Sequence, residues 1–339
     1  MTNLPKDHPT IKHRKVGVLI VNLGTPDGTD YRSIRRYLKE FLSDRRVIDI
    51  NKYLWWLILN GIILTFRPSK TAQAYKKIWN EAMDESPLKT YTRSQCTKLQ
   101  QSLNTKNIFW AMRYGNPSIS QVLLKMREIG LDQILIFPLY PQYAAPTTAT
   151  VNDKVYSELA KMRWQPAIRT MPPFYDNPKY INALKNSVES HLGSLDWSPE
   201  ILLTSYHGLP KRYLLSGDPY HCHCHKTTRL LKDSLNSFTG DIQLSFQSRF
   251  GREEWLKPYT EETVINLAKT GIKRIALISP AFISDCVETL EELNIGIKEV
   301  FIENGGEKFT LIPCLNDNDH SIDLLSQLIK NELLGWSDL

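Results

Sequence analysis

His207 lies in the run Ser205-Tyr-His-Gly-Leu-Pro210, directly after an apolar segment and before a glycine. An imidazole so placed serves either as a base near neutral pH or as a metal ligand through its neutral ring. A lone histidine is often structural, but the carboxyl end of a strand is where open α/β sheets keep their ligands. Asp285, Glu288 and Glu292 follow another apolar run, spaced i, i+3 and i+7. On an α-helix this spacing places all three on one face. Such a face is solvated, unless the helix begins inside a cleft; the preceding apolar Pro280-Ala-Phe-Ile283 favours the cleft. A carboxylate opposite an imidazole holds a divalent metal or moves protons in partnership with it.

A second group is His221-Cys-His-Cys-His225, five potential ligands in succession. Asp218 and Pro219 read as the cap and first residue of a helix, so the run fills its first turn. Neighbouring side chains there diverge and cannot all reach one ion. The expectation is a helix start whose thiols are incidental, with a metal site as the alternative.

The elements that must position these groups alternate regularly. The chain has 339 residues, enough for about two domains, and 42% of them are hydrophobic against 23% charged, which excludes a disordered chain. Its length allows burial of about three quarters of the unfolded surface. Short apolar strands are expected at 16–23, 108–112, 133–139 and 167–171, then at 201–206, 242–247, 274–279 and 310–313. Helical spacing separates them at 30–42, 118–129, 148–162, 219–235, 261–270, 286–299 and 321–334. This order predicts an α/β fold of two Rossmann-like lobes, each with a parallel four-stranded sheet, and a cleft between them. The expected divisions are a tail at 1–14, a first lobe at 15–172, a second at 173–316 and a final helix at 317–339 that packs back on the first lobe. Pro-rich 171–178 reads as the linker.

Neither GxGxxG nor GxxxxGK[ST] occurs. The strand ends instead carry Tyr, Phe and Pro, as in Pro138-Leu-Tyr-Pro-Gln-Tyr143, and suit a large flat apolar ligand better than a phosphate. Residues 53–66 are apolar nearly all round, with Trp55 and Trp56 on different helix faces. They form either a core helix or an exposed apolar lip that meets a membrane or a greasy ligand. The net charge is +6 without any block of like charges, which points to a solvated surface rather than to nucleic acid. Five cysteines and a polar N-terminus argue for a reducing compartment and against a secretory signal.

Several of these segments together resemble the ferrochelatases. They are Arg67-Pro-Ser-Lys70 with Tyr75-Lys-Lys-Ile-Trp79, Pro141-Gln-Tyr143, Ser205-Tyr-His-Gly-Leu-Pro210 with Gly217-Asp-Pro-Tyr220, Phe246-Gln-Ser-Arg-Phe-Gly251 and Asp285-Cys-Val-Glu-Thr-Leu290. The resemblance covers about residues 15–335. It implies a lyase, a metal chelatase that inserts Fe²⁺ into protoporphyrin IX to give protohaem, the last step of haem biosynthesis. That chemistry requires a distorted macrocycle, removal of two pyrrole protons and delivery of a metal not held too tightly. His207 and Glu288 match the family's active-site pair and are expected as catalytic groups and metal ligands. Glu292, with Asp285, is expected to relay metal or protons. Leu23, Arg113, Tyr114, Trp255 and Phe282 match the porphyrin pocket, with Arg113 facing a propionate. Residues 51–66 match the family's apolar lip.

Cys286 stands where animal members carry a histidine, so that histidine's role does not transfer; the thiol points to the bacterial branch. Some bacterial members carry a [2Fe–2S] cluster, which needs four thiolates. Here Cys222 and Cys224 would need two more from Cys96, Cys286 and Cys314, and no cluster is expected. Nor is an organic cofactor implied; Fe²⁺ is the substrate metal. The expected setting is the cytoplasm, with peripheral contact at the inner face of the membrane through 51–66, and a monomer, a homodimer being the alternative. The rival readings are a chelatase using another metal or coproporphyrin, a non-catalytic haem or porphyrin carrier, and a periplasmic-type solute-binding lobe pair.

Overall fold

The computed structural model describes Asp7 and residues 15–251 and 253–336; the tail expected at 1–14 lies, apart from Asp7, outside the described residues. Eight strands form two sheets. β1 (Val16–Gly24), β2 (Ile108–Tyr114), β3 (Gln133–Pro138) and β4 (Ala167–Thr170) build the first, and β5 (Ile201–His207), β6 (Asp241–Gln247), β7 (Arg274–Ile278) and β8 (Lys308–Leu311) build the second. All pairings are parallel, and the orders β2-β1-β3-β4 and β6-β5-β7-β8 are the same path taken twice. Helices must therefore cross each sheet, which explains the near-continuous apolar strands: seven of the nine β1 residues, Val16 to Asn22, are buried without a break.

The two-lobe α/β expectation holds. Strand boundaries shift by one to two residues, and β5 runs on to include His207 itself. Three irregularities were not legible as such. Residues 59–63, 145–149 and 288–297 wind as π-helix, with i→i+5 hydrogen bonds, inside helices expected to be regular. Three helices, Pro87–Ser102, Pro178–Gly193 and the short Lys211–Leu215, lie outside the expected ones.

One core runs through both lobes, joining Val18, Ile20 and Phe137 to Leu202, Ala276 and Ile278. Met171 and Phe174, in the Pro-rich connection, are buried in it. The helix Asp319–Glu332 lies across the helix Pro87–Ser102 of the first lobe, with Ser102 Oγ and Ser326 Oγ 3.0 Å apart and Lys98 paired to Asp317 at 2.8 Å. Gln95 donates to Ser284 Oγ at 3.1 Å and to the Asn316 carbonyl at 2.6 Å. These contacts fix the carboxyl ends of the two sheets with respect to one another.

Candidate active site

β5 and β6 end side by side, His207 in register with Gln247. The His207 Nδ1 lies 2.7 Å from the Gly208 carbonyl. A carbonyl only accepts, so Nδ1 carries a proton, and in the neutral ring the lone pair is then on Nε2. Gly208 is required by crowding: a Cβ there would lie 2.7 Å from the Gln247 carbonyl and 3.1 Å from the Trp255 ring. Trp255 is buried under this turn and meets Phe250 edge-on at 4.9 Å.

Beyond β7, Gln247 Nε2 donates to the Glu288 carbonyl at 2.9 Å and anchors the first turn of the π-helix. Its wide winding brings residues four apart nearly into line, so Glu288 and Glu292 stack along one face. Ser248 donates to the Glu292 carboxylate twice, from its N–H at 2.8 Å and its hydroxyl at 2.6 Å. Burial raises the Glu292 carboxyl above the ordinary value; the Ser248 bonds and the neighbouring His207 pull it back, and Glu288 pushes it up again. His207, Glu288 and Glu292 are thus electrostatic neighbours.

Asp285 does not share that face. It precedes the helix, and its carboxylate accepts from Thr289 Oγ1 at 2.9 Å, Asn316 Nδ2 at 2.7 Å and the Cys314 N–H at 3.4 Å. The i, i+3, i+7 reading assumed α-helix through 285–292, whereas the first turn starts after Asp285 and then widens. Asp285 pins the β8 end to the helix start. Cys286 is buried, and burial together with the Glu288 charge pushes its thiol far above the ordinary range, so it stays protonated beside that carboxylate.

The first lobe faces this set with aromatic rings. Tyr37, Tyr75 and Tyr140 all feel the Glu288 charge; burial is the larger cause of their strongly raised hydroxyls, which stay protonated. Tyr37 meets Tyr75 edge-on at 6.5 Å and stacks on Phe41 at 6.0 Å, and Phe41 meets Tyr114 at 5.1 Å. Leu23 and Val287 pack on the same cluster. The Tyr140 hydroxyl is buried with no hydrogen-bond partner among the described residues. Phe282, half-buried, follows the Ser279 carbonyl in the turn after β7.

Arg113 is occupied within the first lobe. Its guanidinium lies on the Asp44 carboxylate, and its Nε donates to Thr150 O and Oγ1 at 2.9 and 2.7 Å. Burial would raise the Asp44 carboxyl, but Thr150, the Arg46 N–H, Arg113 and Tyr114 outweigh it and hold it below the usual range. With its charge matched, Arg113 as placed does not offer the propionate contact expected of it. Tyr114 is fully buried and donates to the same Asp44 at 2.9 Å. Tyr37, Tyr75, Tyr140 and Ser248 were not singled out from the sequence. Tyr75 and Ser248 lie in segments that resemble the family, Tyr140 lies in the strand-end run 138–143, and Tyr37 sits on the buried face of its helix.

The lip consists of the helix Lys52–Ile58, the π-turn Leu59–Ile63 and the start of the helix Leu64–Ile78. Tyr53, Leu54, Trp56, Leu57, Ile62 and Phe66 are exposed, from 56% to 73%. No helix among the described residues is long and apolar enough to cross a membrane. At the base of the lip, Arg67 lies 5.9 Å from the Phe250 ring of the second lobe. Among the cysteines Cys222 is exposed and the other four buried. No group of three His, Cys, Asp or Glu side chains among the described residues is arranged to hold a metal.

The ferrochelatase family model matches residues 15–333. The chain is 56% identical to the ferrochelatase of Allorhizobium ampelinum, over 99% of this chain and 98% of that one, and 55% identical to that of Agrobacterium fabrum over the same shares. Among solved structures it resembles SirB from Bacillus subtilis with Fe³⁺ (TM-score 0.57, 10% identity, 94% of this chain and 96% of that one). It also resembles the sirohydrochlorin chelatase SirB from B. subtilis subspecies spizizenii in complex with cobalt (0.55, 9%, 94% and 95%). At such identity these two establish the fold alone. A family match over nearly the whole chain, with relatives above half identity, makes this chain a member of the ferrochelatases.

Proposed function

We infer that this chain is a ferrochelatase, a metal chelatase that inserts Fe²⁺ into protoporphyrin IX to give protohaem. The observation that carries the mechanism is that the strand-end neighbours His207 and Gln247, with Ser248, bring His207 beside the helix whose Glu288 carbonyl Gln247 holds and whose Glu292 carboxylate Ser248 holds, so that Glu292 feels both His207 and Glu288. A neutral imidazole takes a pyrrole proton, and adjacent carboxylates hold or carry the cation and accept protons in turn. Imidazole and carboxylate together suit Fe²⁺, and so sparse a ligand set releases it to the ring. The tyrosine wall and Leu23 supply the apolar face against which a macrocycle lies, with Trp255 and Phe282 on the opposite lobe. Binding energy from that periphery distorts the ring and exposes its nitrogens.

The exposed residues of 53–66 rest against a lipid surface, where the apolar substrate and product partition; this supports a peripheral setting on a membrane.

An anaerobic absorbance assay with protoporphyrin IX and Fe²⁺, run beside Zn²⁺ and coproporphyrin, tests the reading. A metalloporphyrin spectrum growing in proportion to enzyme, and lost in Glu288→Gln, is expected. Binding of porphyrin without insertion would identify a carrier instead.

A further inference from the structure

The run 221–225 does not act as one group. His223 is taken up by packing: its Nδ1 accepts the Tyr143 N–H at 3.2 Å, and its ring stacks on Tyr175 at 3.6 Å. Cys224 is fully buried. His221 and His225 are left, four residues and so about one turn apart at the start of the helix Tyr220–Ser234. Their ring centroids lie 4.3 Å apart, and both rings face Phe246 of β6, at 5.9 and 6.4 Å. Neither imidazole has a hydrogen bond or ion pair to any described residue.

This is the geometry of a two-point chelate. Histidines at i and i+4 on a helix share one metal ion. Two nitrogens bound at about 2.0–2.1 Å on a tetrahedral ion stand about 3.3 Å apart, within reach of rings whose centres are 4.3 Å apart after side-chain rotation alone. Phe246 backs both rings and limits their freedom, so little entropy is lost on binding. Partial burial lowers both imidazoles below their ordinary value, and His221 lowers His225 further, which favours the neutral ring that a metal needs.

We propose that His221 and His225 form a second divalent-cation site, distinct from His207, Glu288 and Glu292, that takes a borderline metal with water completing its coordination. Two imidazoles bind first-row metals in the order that rises from Fe²⁺ through Co²⁺ and Ni²⁺ to Cu²⁺, with Zn²⁺ also above Fe²⁺. The site therefore favours the competitors of the substrate metal rather than the substrate itself. Cys222 does not join it, since adjacent helical side chains diverge.

Zn²⁺ titration calorimetry on the porphyrin-free full chain tests this, comparing wild type with His225→Gln and His207→Ala. His225 is exposed, so its replacement leaves the fold intact, to be checked by circular dichroism and by retained iron insertion. The expected result is one Zn²⁺ equivalent lost in His225→Gln and kept in His207→Ala. In addition, the Cu²⁺ electron paramagnetic resonance of His207→Ala should show coupling to two nitrogens, reduced to one by adding His225→Gln. Unchanged stoichiometry and affinity in His225→Gln, or loss of the same equivalent in His207→Ala, would overturn the proposal.

Discussion

Ser248 holds the Glu292 carboxylate with two hydrogen bonds while its own backbone sits at φ 64°, in the left-handed region. For a residue with a Cβ this conformation costs about 1–2 kcal/mol. The turn after β6 is thus kept in an unfavourable shape that aims two donors at one carboxylate.

The consequence is a pH dependence. Both Ser248 bonds favour ionised Glu292, against burial that raises its carboxyl. Removing the hydroxyl in Ser248→Ala therefore raises that carboxyl further, and more of it is protonated at any given pH. If insertion uses the carboxylate, the acidic limb of kcat/KM moves to higher pH, and the loss shrinks as pH rises. Ser248→Gly keeps the N–H bond and relieves the backbone, so its limb should move in the same direction with better retained stability. Superimposable profiles for Ser248→Ala and wild type would remove Glu292 from the reaction.

His207 is predicted to act on protons and metal and not on substrate affinity. Its ring is held by one bond to the adjacent Gly208 carbonyl, and the neighbouring wall of Trp255 does not depend on it. His207→Ala should lower kcat by about 10²–10⁴, the usual contribution of a positioned acid–base group. Protoporphyrin binding, followed by quenching of tryptophan fluorescence, should change little. Near-normal turnover in this variant would contradict the assignment.

How far the sequence carried is clearest at residues 285–292. Apolar runs and their punctuation located the eight described strands, because the central parallel strands are buried on both faces and read as near-continuous apolar runs bounded by Gly, Pro and polar residues. The same reading placed Glu288 and Glu292 correctly on one helix but joined Asp285 to them. A π-helix has no compositional signature; it differs from an α-helix only in which carbonyl each N–H reaches, and here Gln247 and Thr289 set its start. Asp44 was invisible for another reason. Its partners Arg113, Tyr114 and Thr150 come from segments 69 to 106 residues away, and only the closed fold brings them together.

That buried pair makes a stability prediction. Arg113 and Asp44 side chains are 12% and 11% exposed, so removing one partner strands a charge with little water around it. Asp44→Asn should cost about 3 kcal/mol. Urea unfolding should show the midpoint falling, and Asp44→Asn combined with Arg113→Met should recover part of the loss, since the stranded charge is then gone. Additive losses in the double variant would show that the pair does not act as a unit.

The lip gives the last test. Trp56 and Leu57 are each 62% exposed and support no core cluster, unlike Trp55, whose Nε1 donates to the Leu42 carbonyl at 2.6 Å and which packs on the first-lobe cluster. Replacing Trp56 and Leu57 together by serine should therefore leave the thermal midpoint within a degree or two of wild type. If these side chains enter a lipid surface, the pair contributes about 3 kcal/mol to partitioning, which is about a hundredfold in affinity. Cosedimentation with phosphatidylcholine–phosphatidylglycerol vesicles should fall by that order in Trp56→Ser/Leu57→Ser. Trp55→Ser should instead lower stability. Equal vesicle binding by the double variant and wild type would mean that the exposed face meets the porphyrin alone, and its KM for protoporphyrin should then rise in the same variant.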